Sequence, residues 1–211
     1  MKRAFCVIGD LVASRKITDR RKLQTRLSTG LKQLGLNRRD IASPYTITLG
    51  DEFQAVYRDP RGIFRDLLAI QSLIHPYRVR FAIGVGSLTT ALNRESAIGM
   101  DGPAFASARE SLTGLTKSAY FYRVVGLPAQ AATWTNLSLD LVSHMVTPWK
   151  KNRFEIAIAR MDGKVPLEIA THMNLTASAV YKNIVAGALP TVTEMLKLLG
   201  AVLNDPDGRT T

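Results

Sequence analysis

Two hydrophobic periods alternate along residues 4–125, and that alternation limits the chain to a small set of mixed α and β folds. Ala4–Ile8 (A-F-C-V-I) is a continuous apolar run rich in β formers, which predicts a buried central strand ended by Gly9 and Asp10. Asp19 then caps a stretch, Arg20–Leu36, in which Leu23, Leu27, Leu31 and Leu34 recur at helical spacing against a basic opposite face. Tyr45–Leu49 and Phe53–Tyr57 are β-rich and separated by Gly50-Asp51-Glu52, a hairpin signal. Pro60 opens a second amphipathic helix and Pro76 follows its end. Arg78–Gly86 reads as a strand, Pro103–Leu115 as a helix, Ala119–Val125 as a strand and Pro128–Met145 as a closing helix. The order is β-α-β-β-α-β-α-β. Its first six elements predict an α+β, ferredoxin-like (βαββαβ) sheet covered by helices.

Beyond Pro148 the pattern becomes purely helical. Lys151–Met161, Pro166–Met173 and Ala177–Ile184 predict three short helices broken at Asp162-Gly163 and at Asn174-Leu175-Thr176. Ile169–Val180 fits a helix-turn-helix. Small Ala170 permits a close crossing, Asn174 suits a left-handed turn, Leu175 and Val180 plug the angle, and Thr176 can cap the second helix. The outward face of that helix would carry Thr176, Ala177, Ser178, Tyr181 and Lys182, short polar and basic residues able to meet base edges and phosphates in DNA. The expected division is a first domain over 1–127, a linker helix over 128–148 and a small all-α helix-turn-helix domain over 149–211. Trp134 and Trp149 flank the linker and are expected to anchor packing; His172 is expected on the surface. A last amphipathic helix, Leu189–Leu203, presents an apolar stripe that either the same chain or a second copy could cover, so a homodimer stays open.

Composition adds boundaries. The formal charge of +11 suggests a polyanionic partner. Most of the excess lies early: residues 1–146 carry 20 Lys and Arg against 11 Asp and Glu, and residues 147–211 carry 8 against 6. Apolar runs are far below the ~20 residues that cross a bilayer, and Gly9-Asp10 interrupts the first of them, so no membrane partner and a cytoplasmic location are expected. Cys6 is the single cysteine, which excludes an intrachain disulfide and a thiolate metal cluster.

Asp10 and Asp51 are far apart in sequence, but the predicted sheet brings both to one edge. Two such carboxylates repel unless a hard cation neutralises them, and Mg²⁺ (or Mn²⁺) accepts one or two carboxylates together with phosphate oxygens. Ile8-Gly9-Asp10-Leu11-Val12-Ala13-Ser14 resembles the first-strand metal motif of class III nucleotide cyclases. Thr46-Ile47-Thr48-Leu49-Gly50-Asp51-Glu52-Phe53 resembles both the cyclase hairpin and the Gly-Gly-Asp-Glu-Phe signature of diguanylate cyclases. Arg80–Gly86 and the segment Gly99-Met100-Asp101-Gly102-Pro103 through Ala108-Arg109 resemble the cyclase segments that follow. In this order over roughly 4–125, the matches look most like the SatD family, with its cyclase-like first domain. The resemblance implies a nucleotide-cyclase-like domain with Asp10 and Asp51 as metal ligands. It implies Leu11, Ser14, Arg15, Asp101 and Arg109 as nucleotide-binding residues, Arg109 facing phosphate. Two departures stand out: Phe105 occupies the position of a cyclase Asn, and Leu49 replaces the first Gly of the diguanylate-cyclase signature. The reading is therefore a DNA-binding transcription regulator whose cyclase-like domain binds Mg²⁺ and a nucleotide. The alternative is an active cyclase or nucleotidyltransferase that uses the helix-turn-helix for docking.

Overall fold

A computed structural model describes residues 3–12, 19–36, 38–48 and 50–207. Among these residues the chain forms a five-stranded sheet and eight α-helices. The strands are β1 (Ala4–Leu11), β2 (Ile41–Ile47), β3 (Glu52–Tyr57), β4 (Val79–Gly86) and β5 (Tyr122–Val125), in the spatial order β2-β3-β1-β4-β5. β1 runs antiparallel to both β3 and β4, β2 antiparallel to β3, and β5 parallel to β4.

The period of two in β1 sorts its side chains between two layers. Phe5, Val7 and Leu11 join Phe53, Phe81 and Ile83 beneath α1 (Arg20–Gly35) and α2 (Ile63–Ile74). Ala4, Cys6 and Ile8 face the other way, with Val56 and Ala82, beneath Ala104, Phe105 and Ala108 of α3 (Pro103–Leu115). Burial pushes the Cys6 thiol up to about 12, so it behaves as a small hydrophobe. Asp19 caps α1 as expected, accepting from the Lys22 N–H at 3.1 Å.

Two strands differ from the sequence expectation. β1 does not end at Gly9-Asp10; its ladder continues through Gly9, opposite Phe53 and Phe81, and through Asp10, opposite Glu52 and Arg80. Gly9 does not stop the strand but makes room in it, since a Cβ there would lie 2.4 Å from the tip of the Phe53 ring. β2 begins four residues early, at Ile41, despite Pro44. As an edge strand with register shifts on both sides of Ser43, it tolerates a residue that cannot donate to the ladder.

The C-terminal part consists of α4 (Ala129–Val146), α5 (Lys151–Met161), α6 (Pro166–Met173), α7 (Ala177–Ala186) and α8 (Leu189–Asn204). α4 lies on β5, α5 packs on α2, and α8 packs on α2 and the short turn of 3₁₀ helix at Pro60–Gly62 before it. Trp149 is buried edge-to-face on Phe154, ring centres 5.3 Å apart. Trp134 corrects the expectation of a second anchor, being 66% exposed. α4 buries Thr135, Leu139, Val142 and Val146, and one residue along a helix rotates a side chain by about 100°, which turns Trp134 off that face. Among the described residues no single helix is long and apolar enough to cross a membrane.

Candidate functional site

The end of β1 gathers the polar side chains that this side of the sheet would otherwise bury. Asp10, Glu52 and Arg80 are cross-strand partners, so they stand abreast on the α3 side. Arg80 reaches Asp10 at 3.9 Å. From α3, Arg109 Nη2 lies 3.6 Å from Glu52 Oε1 and donates to Gln54 Oε1 at 3.3 Å. Thr48 Oγ1 donates to Glu52 Oε1 at 3.2 Å.

Asp51 sits at the hairpin tip. Gly50 (φ +60°) makes the left-handed turn before it, and Gln24 of α1 donates to the Gly50 carbonyl at 2.9 Å. The Leu11 N–H points to the Asp51 carbonyl at 3.4 Å, which fastens the tip to the end of β1. Burial raises the Asp10 carboxyl above its ordinary value, the nearby Asp51 carboxylate raises it further, Arg80 opposes, and Glu52 adds to the rise. A carboxylate in that position gains from a cation.

Among the described residues no group of three or more His, Cys, Asp or Glu side chains could hold a metal ion. Asp10 and Asp51 are the carboxylates that this end of the sheet brings near each other, and Mg²⁺ is the kind of cation that accepts one or two carboxylates with phosphate oxygens and water. Arg80 and Arg109 put two positive charges on the same face.

The other expected nucleotide contacts are spread out. At Leu11 the group expected to face phosphate is the backbone N–H, which points to the Asp51 carbonyl, while the side chain is buried beneath α1 and α2. Ser14 and Arg15 lie outside the described residues, as does Leu49. Asp101 is not brought to Asp10. Its carbonyl accepts from the Thr89 N–H at 2.9 Å, its carboxylate from the Gly102 N–H at 2.7 Å, and it stands near the Gly86 end of β4, which pairs with Ala4. Six residues of strand at about 3.3 Å each set that end roughly 20 Å from Asp10. Phe105 is buried under the sheet. Glu52, Gln54 and Arg80 are the residues that sequence reasoning missed. Alternation puts each on one face, but only the register sets Glu52 and Arg80 opposite Asp10.

A second polar surface lies on α7. The α6–α7 turn is made by Asn174 (φ 52°, left-handed), and Thr176 Oγ1 accepts from the Ala179 N–H at 3.1 Å to cap α7. Thr176, Ser178, Tyr181 and Lys182 are exposed and Ala177 is half-buried. Ala170 and Val180 are buried as expected, whereas Leu175 is only half-buried. His172 is exposed, as expected.

These features define an α+β protein with a carboxylate-and-arginine cluster at one end of its central strand and an exposed polar helix in its all-helical part. The chain belongs to the SatD family, whose model matches residues 4–190, from β1 to the first turn of α8. No curated protein matches the sequence.

Proposed function

We propose that this protein is a DNA-binding regulator whose first domain, residues 1–127, is ferredoxin-like and cyclase-like and binds Mg²⁺ with a nucleotide. The connection order β-α-β-β-α-β with β1 between β3 and β4 supports the ferredoxin-like reading of the first domain. The observation that carries the DNA-binding reading is the exposed face of α7. Ser178, Tyr181 and Lys182 are free to meet a ligand, while Ala170 and Val180 pack inward, as a helix-turn-helix requires.

Asp10 and Asp51 would hold the cation, and Arg109 and Arg80 would face phosphate oxygens. In that arrangement the cation and the phosphates stabilise each other, so Mg²⁺ and nucleotide bind best together. A thermal-shift titration tests this, because a ligand at 100 times its dissociation constant adds about 2.7 kcal/mol to the native state. ATP or GTP with Mg²⁺ is expected to raise the melting temperature of the wild type, and Asp51→Asn to remove most of that rise. An equal rise in wild type, Asp10→Asn and Asp51→Asn would remove the two-carboxylate site. The alternative reading, an active nucleotidyl cyclase or nucleotidyltransferase, draws on the same carboxylate pair. It is opposed by Phe105, an apolar ring where the cyclases that the chain resembles carry an amide. Turnover of ATP or GTP with Mn²⁺ that disappears in Asp10→Ala would establish it.

For DNA, Lys182→Ala is expected to weaken binding to every sequence alike and to flatten the salt dependence by about one unit of slope, as the loss of one phosphate contact does. Changes at Ser178 or Tyr181 should instead alter which sequence is preferred. Gel shifts on genomic fragments, with and without Mg²⁺ and nucleotide, measure both. No shift under either condition would leave α6 and α7 as a protein-docking pair.

A further inference from the structure

A second recess opens on the α3 side of the sheet, at the end opposite Asp10. It is a cleft of about 400 Å³ whose floor is small and apolar: Ala4 of β1, Ala42 of β2 and Val56 of β3. Three arginines line it, Arg3 ahead of β1, Arg58 just after β3 and Arg94 in the segment 87–102. Leu88, Thr90 and Leu92 of that segment complete the wall. The segment is fastened to the sheet although it has no regular structure. The Ala97 N–H donates to Thr46 Oγ1 at 2.9 Å, the buried Gln54 amide donates to the Ala97 carbonyl, and Asn93 Nδ2 donates to the Ile98 carbonyl at 3.2 Å. Arg94 is thus carried on a braced loop.

Charge balance gives the cleft its meaning. Among the described residues no carboxylate lies within ion-pair distance of Arg3, Arg58 or Arg94, whereas Arg38, Arg61, Arg65, Arg80, Arg109 and Arg123 each have one. Arg58 gives one N–H to the Ile41 carbonyl at 3.3 Å, and a guanidinium carries five donors. Three like charges around one recess repel each other, and an anion seated between them relieves that repulsion. A phosphate monoester carries about −1.5 to −2 at neutral pH and matches the forked geometry of arginine. The flat apolar floor offers nothing to a bare ion but receives a ring. The volume lies at the small end of ligand sites, roughly 300–1,000 Å³, which suits one nucleotide-sized molecule.

We propose that this cleft binds a small organic monophosphate, its phosphate between Arg3, Arg58 and Arg94 and its planar or apolar body on Ala4, Ala42 and Val56. The site has no carboxylate lining and stands about 20 Å along β1 from Asp10, so it works without a divalent cation and does not depend on the Mg²⁺ reading.

Calorimetric titration of the full chain in EDTA tests it, with AMP, phenyl phosphate and inorganic phosphate as probes. At least one of the two organic probes should bind at least tenfold more tightly than inorganic phosphate. Arg58→Gln and Arg94→Gln, both at exposed positions that leave the core intact, should each weaken it about tenfold or more, the usual effect of losing a charge-assisted hydrogen bond. Asp10→Asn should change it less than about twofold. Binding lost in Asp10→Asn, binding unchanged in both arginine variants, equal affinity for inorganic phosphate, or no binding of either organic probe would each overturn the assignment.

Discussion

Gly84→Val should destabilise the protein by more than about 3 kcal/mol and, under the proposed function, abolish stabilisation by Mg²⁺ and nucleotide in the same step. Gly84 faces α3 from the middle of β4, and a Cβ there would lie 1.9 Å from the Ala104 carbonyl oxygen and 3.1 Å from the Ala108 Cβ. Overpacking a core usually costs about 1–3 kcal/mol when side chains can repack. Here the obstacle is helix backbone, so α3 itself must lift. Arg109 is carried on that helix and would leave Glu52 and Gln54 with it. For a chain of this length the loss corresponds to a fall of roughly 6–12 °C in melting temperature. Gly114→Ala, near the far end of the same helix, is the control. A Cβ there meets nothing within 4 Å, and replacing a helical glycine gains up to about 1 kcal/mol. A Gly84→Val protein as stable as wild type would mean that α3 does not lie on β4.

The difference between these glycines marks what the sequence could convey. Local signals were readable: the Asp19 cap, the prolines that open α3 and α6, and the left-handed Asn174 all act within a few residues, and those element boundaries matched. Signals that depend on a partner strand were not. Gly9 reads as a terminator because glycine and aspartate favour turns, yet the Phe53 ring across the sheet uses the space and the strand runs on. The strand expected from Tyr45 starts at Ile41, because an edge strand with shifted register tolerates Pro44 within it. Asp10 and Asp51 stand out as candidates from their motif-like surroundings, whereas Glu52 and Arg80 become candidates only through the register that sets them beside Asp10. Asp101 shows the converse. Motif order marks it as a nucleotide-binding position but says nothing of its distance from Asp10, which the length of β1 sets. Trp134 fails for a simpler reason, since a large aromatic at the edge of an amphipathic stripe gives no sign of which side of the stripe is covered.

Arg38→Ala should cost about 3 kcal/mol at neutral pH, and markedly less in mild acid. Asp66 of α2 is fully buried among Tyr57, Arg38 and Arg65. Tyr57 Oη donates to its carboxylate at 2.5 Å and, having only one proton, accepts from Tyr45 Oη at 3.0 Å. Arg38 Nη1 donates to Asp66 Oδ1 at 3.1 Å and also grips Asp40. Arg65 lies 3.4 Å from the same oxygen while its Nε and Nη2 hold Asp162 of α5 at 2.9 and 2.8 Å. Burial raises the Asp66 carboxyl above its ordinary value, and Tyr57, Arg38 and Arg65 pull it back only in part. Removing one partner from a buried ion pair typically costs 3–5 kcal/mol, and the part-exposure of Arg38 places the loss at the lower end. The sign with pH follows from the raised carboxyl. Its contribution to stability is complete below the ordinary aspartate value and is lost as pH rises through the higher value of the folded state. Without Arg38 the folded value climbs further, so the gap between wild type and variant opens as pH rises and narrows as Asp66 takes up its proton. Urea denaturation at pH 5 and pH 8 measures both gaps. Adding Asp66→Asn to Arg38→Ala should recover much of the loss at pH 8, because no buried charge is left without a partner; Asp40, about a quarter exposed, can be hydrated instead. Equal losses at both pH values, with no recovery from Asp66→Asn, would mean that Arg38 acts through packing or through Asp40 and not through the buried carboxylate.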